Sequence, residues 1–416
     1  MRYLFTTVPG SSHVLPLVPL AHAALAAGHE VAVATSGAGL SSAVSAGLTA
    51  IATDDGRSAR PYEEMARVMH ETDRGSRQND AELVDYFGAT FAEVGSAMLP
   101  GLLDAARAWR ADAVIYPPPH PAGLLAARAL GIPAVLHNLG IRRPTFGPAL
   151  AKLEPLAQRL GVPGPREADL QIDLSAPSLA NHVQGPPQEN TIPHTLRMHP
   201  SPYNGAGPLP AWALRRPGDG TRRVVVTLGS LPASYGRGEL LRDIILGTRD
   251  LAVELIVATG DVELPALPQP LPGHARLVGW VPLRPLLATS DVLIHHGGLS
   301  SMYTAFVAGV PQCLIPAPGA GGEPNARIVS GRGAGLGLAM DEVTPEAVRS
   351  ALRELLDRPD YGRVSADVAA EIDAMPLPAE VIGRLDRFVA EAGRTAPPAP
   401  PPAGTSRETA GGRGAR

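Results

Sequence analysis

The sequence predicts an α/β protein: two Rossmann-like, doubly wound parallel sheets facing each other across a cleft. Three observations point there. Short β-branched runs alternate with Ala/Leu-rich helical stretches, the helices close at Gly or Pro, and the alternation restarts after a break in mid-chain. At 416 residues and 44% hydrophobic content, the chain can also fill more than one core.

Taken in order, Tyr3 to Val8 reads as a first strand, Leu17 to Ala27 as a helix closed by Gly28, and Glu30 to Thr35 as a second strand. Ala113 to Tyr116 and Pro133 to His137 read as later strands, separated by a helix over Ala122 to Leu130 with Gly131 at its end. From Asn204 to Asp219, Pro, Gly and an isolated Trp212 replace any periodicity. Arg222 to Leu228 then opens a new series of strands, continued at Leu255 to Ala258, Ala275 to Val278, Val292 to His295 and Cys313 to Ile315. The expected division is a first domain over 1–205, a linker over 206–221, a second domain with C-terminal helices over 222–394, and a tail over 395–416. That tail is rich in Pro, Ala, Gly, Ser, Thr and Arg and too poor in apolar bulk to offset its ordering entropy, so disorder is expected.

A net charge of −4 provides no field that would gather nucleic acid or an anionic membrane, which leaves small molecules or proteins as partners. Cys313 is the single cysteine, so no intrachain disulfide can form. No stretch reaches the roughly eighteen apolar residues of a membrane span, and the first strand runs into a turn without a signal-peptide core. A cytoplasmic protein is expected.

The most informative passage is His296-Gly297-Gly298-Leu299-Ser300-Ser301, which follows a strand and opens a helix running to Ala308. Paired glycines leave room for a ligand, Ser300 or Ser301 is expected to cap the helix, and the free N–H groups of its first turn favour an anion. His296 can donate a hydrogen bond to the same anion. A plain tight turn is the competing reading of Gly-Gly alone. The helix ends at Gly309-Val310-Pro311-Gln312, and Cys313-Leu314-Ile315 follows as a buried strand, which makes a βαβ unit.

The first βα turn places a second His, His13, just before a helix at the carboxyl end of a strand, where doubly wound folds keep their ligands. An imidazole there can take a proton near neutral pH, or it can merely satisfy the turn. His182, His194 and His199 lie in a Pro-rich stretch without metal-ligand spacing. Gly331 to Gly337 imitates a dinucleotide fingerprint but follows a helix and precedes a strand, the reverse of the order that motif needs.

With Gly279-Trp280-Val281-Pro282 upstream and Asn325-Ala326 downstream, the His-His-Gly-Gly and Gly-Val-Pro-Gln runs resemble the nucleotide-sugar segment of the family 1 glycosyltransferases that decorate natural products in actinobacteria and plants. The resemblance implies an inverting transfer of a sugar from a nucleotide diphosphate, the thymidine form being the family's preference, to a hydroxyl of a hydrophobic secondary metabolite. The nucleotide sugar would be a co-substrate, no cofactor or metal is implied, and a homodimer is compatible. His13 aligns with the catalytic His of the family's Gly-His-x-x-Pro signature. Gly229, Ser230, Trp280, Val281, His296, Gly298, Ser300 and Ser301 fall where relatives hold the nucleotide and diphosphate, and Gly321, Gly322 and Glu323 where they hold the sugar.

Two departures stand out. Pro117-Pro118-Pro119 replaces the carboxylate that orients the catalytic His in many relatives, so that either His13 works without it, another group such as His120 or Asp112 is recruited, or the acceptor is an acidic hydroxyl such as a phenol or enol. Gly321-Gly322 replaces an acidic-Gln pair that reads sugar hydroxyls, which implies a deoxygenated sugar. Met65, Tyr86, Phe87, Tyr116, His120, Asn138 and Phe146, together with Phe91 and Met98, are expected as acceptor-pocket walls, although helical spacing also suits several of them to a core. The polar stretch Asp54 to Asp80, with Arg57, Arg60, Arg67 and Arg74 among Tyr62, Met65 and Met69, reads either as a flap over that pocket or as a surface helix with an apolar face. A catalytically impaired relative that binds nucleotide or supports a partner is the alternative function.

Overall fold

The computed structural model describes residues 1–71, 80–141, 145–162, 167–183, 191–229, 237–260, 267–268, 270–316 and 322–395. Arg74, Ser230, Gly321 and the tail beyond Thr395 lie outside the described residues.

The first lobe holds seven parallel strands: β1 (Arg2–Thr6), β2 (Glu30–Thr35), β3 (Thr49–Ala52), β4 (Ala113–Tyr116), β5 (Ala134–His137), β6 (Leu170–Asp173) and β7 (His194–Arg197). Their spatial order is β3-β2-β1-β4-β5-β6-β7. The second lobe holds six: β8 (Arg222–Thr227), β9 (Val253–Ala258), β10 (Ala275–Val278), β11 (Val292–His295), β12 (Gln312–Leu314) and β13 (Gly335–Gly337), ordered β10-β9-β8-β11-β12-β13. Strand order reverses between β1 and β4 in one sheet and between β8 and β11 in the other, and ligands of such sheets bind at the carboxyl ends of those strands.

Apolar runs become strands here because helices cover both faces of each sheet. Side chains alternate across the sheet, so Tyr3 and Phe5 enter one core layer while Leu4 enters the other. In the same way Val292 and Ile294 face one layer of the second lobe and Leu293 the opposite one. Four strands are missing from the sequence expectation: β3, β6, β7 and β13. Three of these are sheet edges made of short, small or polar runs such as TAIA, HTLR and GLG, which carry little periodic signal. His194 therefore lies on β7 and not in a loop.

The lobes meet through a shared apolar cluster in which Ile141, Ala176 and Leu179 of the first pack against Met302, Tyr303 and Phe306 of the second. Gly140 has to be glycine at this seam, since a Cβ would stand 2.5 Å from the Tyr303 ring. The last helix, Pro378–Thr395, corrects the chain-order division. Val381, Ile382, Leu385 and Val389 bury themselves in the same core as Tyr3 and Phe5 of the first lobe. Its Asp386 accepts hydrogen bonds from Tyr3 Oη at 2.5 Å and His29 Nε2 at 3.0 Å.

Candidate active site

At the first switch point, the chain leaves β1 at Thr6 and enters a short helix, Ser11–Val14. Gly10 precedes that helix because the Tyr62 hydroxyl fills the space a Cβ would need, 2.2 Å away. Tyr62 belongs to a helix over Ala59–Glu71, and its ring stands edge-on to His13 with centroids 5.9 Å apart. Within the polar stretch, Ala59–Glu71 is thus a helix whose inner face, with Met65 6% exposed, covers the His13 turn, while 72–79 lie outside the described residues. His13 is half-buried, with Nδ1 sealed from solvent and without a hydrogen-bond partner among the described residues. Burial pushes its pKa down to about 4, so the ring is neutral at physiological pH.

His120 follows β4 after the proline turn, held by its own N–H on Pro117 O at 3.0 Å. It is fully buried, and its Nε2 pairs with Thr6 Oγ1 at 3.1 Å. Burial first, and then the neighbouring His13, push its pKa down to about 3. The two histidines therefore flank the point where strand order reverses. Asp112, the other expected recruit, is at the opposite end of the sheet, where it accepts the Arg2 N–H at 2.7 Å. That position rules it out as a partner of His13.

Burial corrects part of the expected acceptor wall. Tyr116, His120, Asn138 and Met98 are all at 0% exposure. Tyr116 spends its hydroxyl on Thr145 Oγ1 at 3.1 Å, and Asn138 donates to Gln171 Oε1 at 3.4 Å. Phe91 joins Val8, Val94, Met98 and Tyr62 in a small apolar cluster. Phe87 stacks on Phe91 at 6.4 Å and Phe146 meets it edge-on at 5.8 Å. With the half-buried Tyr86, these rings form a surface that is still partly open.

At the second switch point, β8 leads to Gly229 and β11 to His296. An added Cβ would lie 2.5 Å from the His296 ring at Gly229 and again at Gly298. Both glycines thus make room for that imidazole, and not directly for a ligand. Gly297, at φ +88°, faces Gly322 so closely that its Cβ would stand 2.7 Å from the Gly322 Cα. Asn325 Nδ2 donates to Gly297 O at 2.7 Å. Two helices, Leu299–Val307 and Gly322–Arg332, consequently begin side by side. The N-cap of the first is Gly298 and not a serine, since the backbone turns helical two residues earlier than a Ser300 cap would have it. Ser300 and Ser301 lie in its first turn, Ser301 only 8% exposed. His295 points the other way, fully buried and paired with Gln312 Oε1 at 3.0 Å. Glu323 is exposed in the first turn of the neighbouring helix, 3.8 Å from Arg327.

Asn204 was not legible as a site residue. Its side chain donates to Thr304 Oγ1 at 3.0 Å and Ser300 Oγ at 3.4 Å, while its carbonyl accepts Trp280 Nε1–H at 2.9 Å. The Gly205 and Gly207 positions admit no Cβ because Trp280 occupies the space. A glycine pair behind an Asn in a strap between lobes is the signal that could have found it. Val281 packs beside Trp212 and Leu287. A shallow surface concavity lined by Met1, Arg2, Glu30 and Asp112 lies at the amino ends of the first sheet, remote from both switch points. Among the described residues, no helix is long and apolar enough to cross a membrane, and no group of three or more His, Cys, Asp or Glu is arranged to hold a metal ion.

Residues 22–229 match the N-terminal domain, and residues 244–388 the C-terminal domain, of the erythromycin biosynthesis protein CIII-like family. The elloramycin glycosyltransferase ElmGT of Streptomyces olivaceus is 33% identical over 398 residues, covering 92% of this chain and 97% of its own. The glycosyltransferase SnogD from Streptomyces nogalater superposes with a TM-score of 0.76 at 33% identity, covering 94% of this chain and 99% of its own. The spinosyn rhamnosyltransferase SpnG complexed with thymidine diphosphate superposes with a TM-score of 0.76 at 27% identity, covering 93% of this chain and 100% of its own. On its two matched domains and its GT-B fold, this chain belongs to the erythromycin biosynthesis protein CIII-like family of natural-product glycosyltransferases.

Proposed function

We propose that this glycosyltransferase moves a deoxygenated sugar from a thymidine diphosphate donor to a hydroxyl of a hydrophobic secondary metabolite, with inversion at the anomeric carbon and no metal ion. The thymidine diphosphate bound by SpnG supports the donor class, and the products named for ElmGT and SpnG support the acceptor class.

His13 is the general base of this reading, and its neutral, half-buried ring at the end of β1 is the observation that supports it best. The acceptor hydroxyl gives its proton to His13 as its oxygen bonds to the sugar C1, and the C1–oxygen bond to the diphosphate breaks. His296, Ser300, Ser301 and the N–H groups of the Leu299–Val307 helix meet the charge of the leaving diphosphate, with Gly229 and Gly298 leaving room for the His296 ring. Trp280 and Val281 hold the base. Gly322 and Glu323 lie on the sugar side of this reading, and the Gly321-Gly322 pair in the sequence has no side chain to hydrogen-bond hydroxyls that a deoxysugar lacks. Met65, Tyr86, Phe87 and Phe146 provide the apolar surface for the acceptor.

One comparison tests the reading: parent and His13→Ala, each with a dTDP-deoxysugar and with nucleotide glucose, while dTDP affinity is followed by calorimetry. The expected result is a loss of turnover of about a hundredfold or more in His13→Ala with dTDP affinity retained. Undiminished turnover in that variant would remove His13 from the chemistry. Equal use of nucleotide glucose would remove the deoxysugar, and a parent inactive with every donor would favour the partner role.

A further inference from the structure

Two fully sealed ring nitrogens at the first switch point have no hydrogen-bond partner among the described residues: Nδ1 of His13 and Nδ1 of His120. A buried donor or acceptor left unpaired is unfavourable, and two of them within one pair of rings invite an explanation. The tautomers provide it. His120 Nε2 is already engaged with Thr6 Oγ1, and when that nitrogen holds the proton and donates, His120 Nδ1 is left as a bare lone pair. A base that receives a proton on Nε2 must hold its resting proton on Nδ1, and for His13 that is the sealed nitrogen.

We propose that His120 is the positioning residue of His13: its Nδ1 accepts the Nδ1–H of His13 while its own Nε2–H rests on Thr6, which leaves His13 Nε2 bare for the acceptor hydroxyl. This rests on His13 being the base. The rings are close enough for His13 to lower the basicity of His120, yet no direct bond joins them. Such a contact closes when substrates bring the site together. The proton of the acceptor moves to His13 Nε2, the oxygen–C1 bond forms and the C1–diphosphate bond breaks. The Nδ1 proton stays on His13, shared with His120, and none passes to Thr6.

The surroundings leave His120 as the available acceptor. The group that His13 meets from the Ala59–Glu71 helix is Tyr62, a phenol that burial keeps protonated and that bonds to the side chain of Ser12. Burial is what shifts His13, and burial followed by His13 is what shifts His120. A neutral imidazole can accept the Nδ1–H without adding charge.

The test is nitrogen-15 NMR of the full chain labelled at histidine, with ring tautomers and titration midpoints followed in the parent, His120→Ala, His120→Asp and Thr6→Val. In the parent, His13 should rest as the Nδ1–H tautomer. His120→Ala should mix the His13 tautomers and lower its midpoint. His120→Asp, by placing a carboxylate beside Nδ1–H, should raise the midpoint by about one pH unit or more. Thr6→Val should mix the tautomers of His120. In turnover, His120→Ala should lower kcat about tenfold and leave KM for donor and acceptor unchanged. The inference is overturned if His120→Ala and His120→Asp, both folded by circular dichroism, leave the tautomer and midpoint of His13 as in the parent. If His120→Ala fails to fold, His120→Asp and Thr6→Val decide by the same criteria. Loss of turnover in His13→Ala with no effect of the His120 variants would sink this inference alone, whereas full turnover in His13→Ala would sink the base reading beneath it.

Discussion

A histidine can act as a base only while it is unprotonated, and burial decides how far into acid His13 keeps that state. An imidazole in water gains its proton near pH ~6.5, but desolvation opposes the charged ring and holds His13 down to about 4. The sign follows directly: activity that needs the neutral ring is present above the folded value and lost as pH falls through it. For kcat/KM in short assays, the acid limb should therefore fall near pH 4 and not near pH 6.5. A limb at the higher value would mean that the ring is fully hydrated when substrate arrives. The sequence placed His13 at the mouth of the first sheet because a His between a strand and a helix is visible in order alone. His120 was legible as a residue but not in its place, since three prolines disguise a turn that folds its ring back onto Thr6.

Among the elements, the second-lobe loop depends on glycine for a reason that spacing does not reveal. Gly298 has an extended backbone at φ −65°, ψ 139°, which any residue can adopt, so Gly298→Ala introduces no backbone strain. Its new methyl would instead meet His296 Nε2 at 2.5 Å and push the ring off the neighbouring Gly229. The expected outcome is a weakening of dTDP binding by about tenfold in calorimetry, with a stability cost of about 1–3 kcal/mol on urea melting. Unchanged affinity would detach His296 from the diphosphate. The Gly-Gly pair does sit at a helix start, with the Gly297 Cβ position against the Gly322 backbone and that of Gly298 against the His296 ring. Asn204 escaped detection because its contacts, with Ser300, Thr304 and Trp280, join parts of the chain about a hundred residues apart or less. Interior strands such as β1 and β11 were plain from their apolar runs, whereas β7 and β13, short and at the edges, had no pattern to betray them.

For the whole molecule, chain order and spatial order part at the end of the sequence. The Pro378–Thr395 helix follows second-lobe helices without a long break, and its amphipathic pattern says that one face is buried without saying against what. Its apolar residues complete the core around β1, and burying a side chain of that kind contributes about 1.5–3 kcal/mol. The first lobe is therefore finished by residues that follow the second lobe in sequence, and the two lobes are tied together at both the linker and this helix. Asp386 fixes the register of the docking, because one carboxylate accepts from both Tyr3 and His29. Changing it to Asn keeps the shape but removes the charge and replaces one acceptor oxygen with a donor, so at least one of the two partners loses its bond. Asp386→Asn should then destabilise the chain by about 1–3 kcal/mol, read as a lower urea midpoint at unchanged slope. Because the helix packs on the first lobe while its chain continues from the second, the loss should appear as a shift of a single transition and not as early melting of one lobe. A midpoint equal to that of the parent would mean that the apolar face alone seats the helix, and the Tyr3–Asp386–His29 contacts would then be a consequence of docking and not a cause of it.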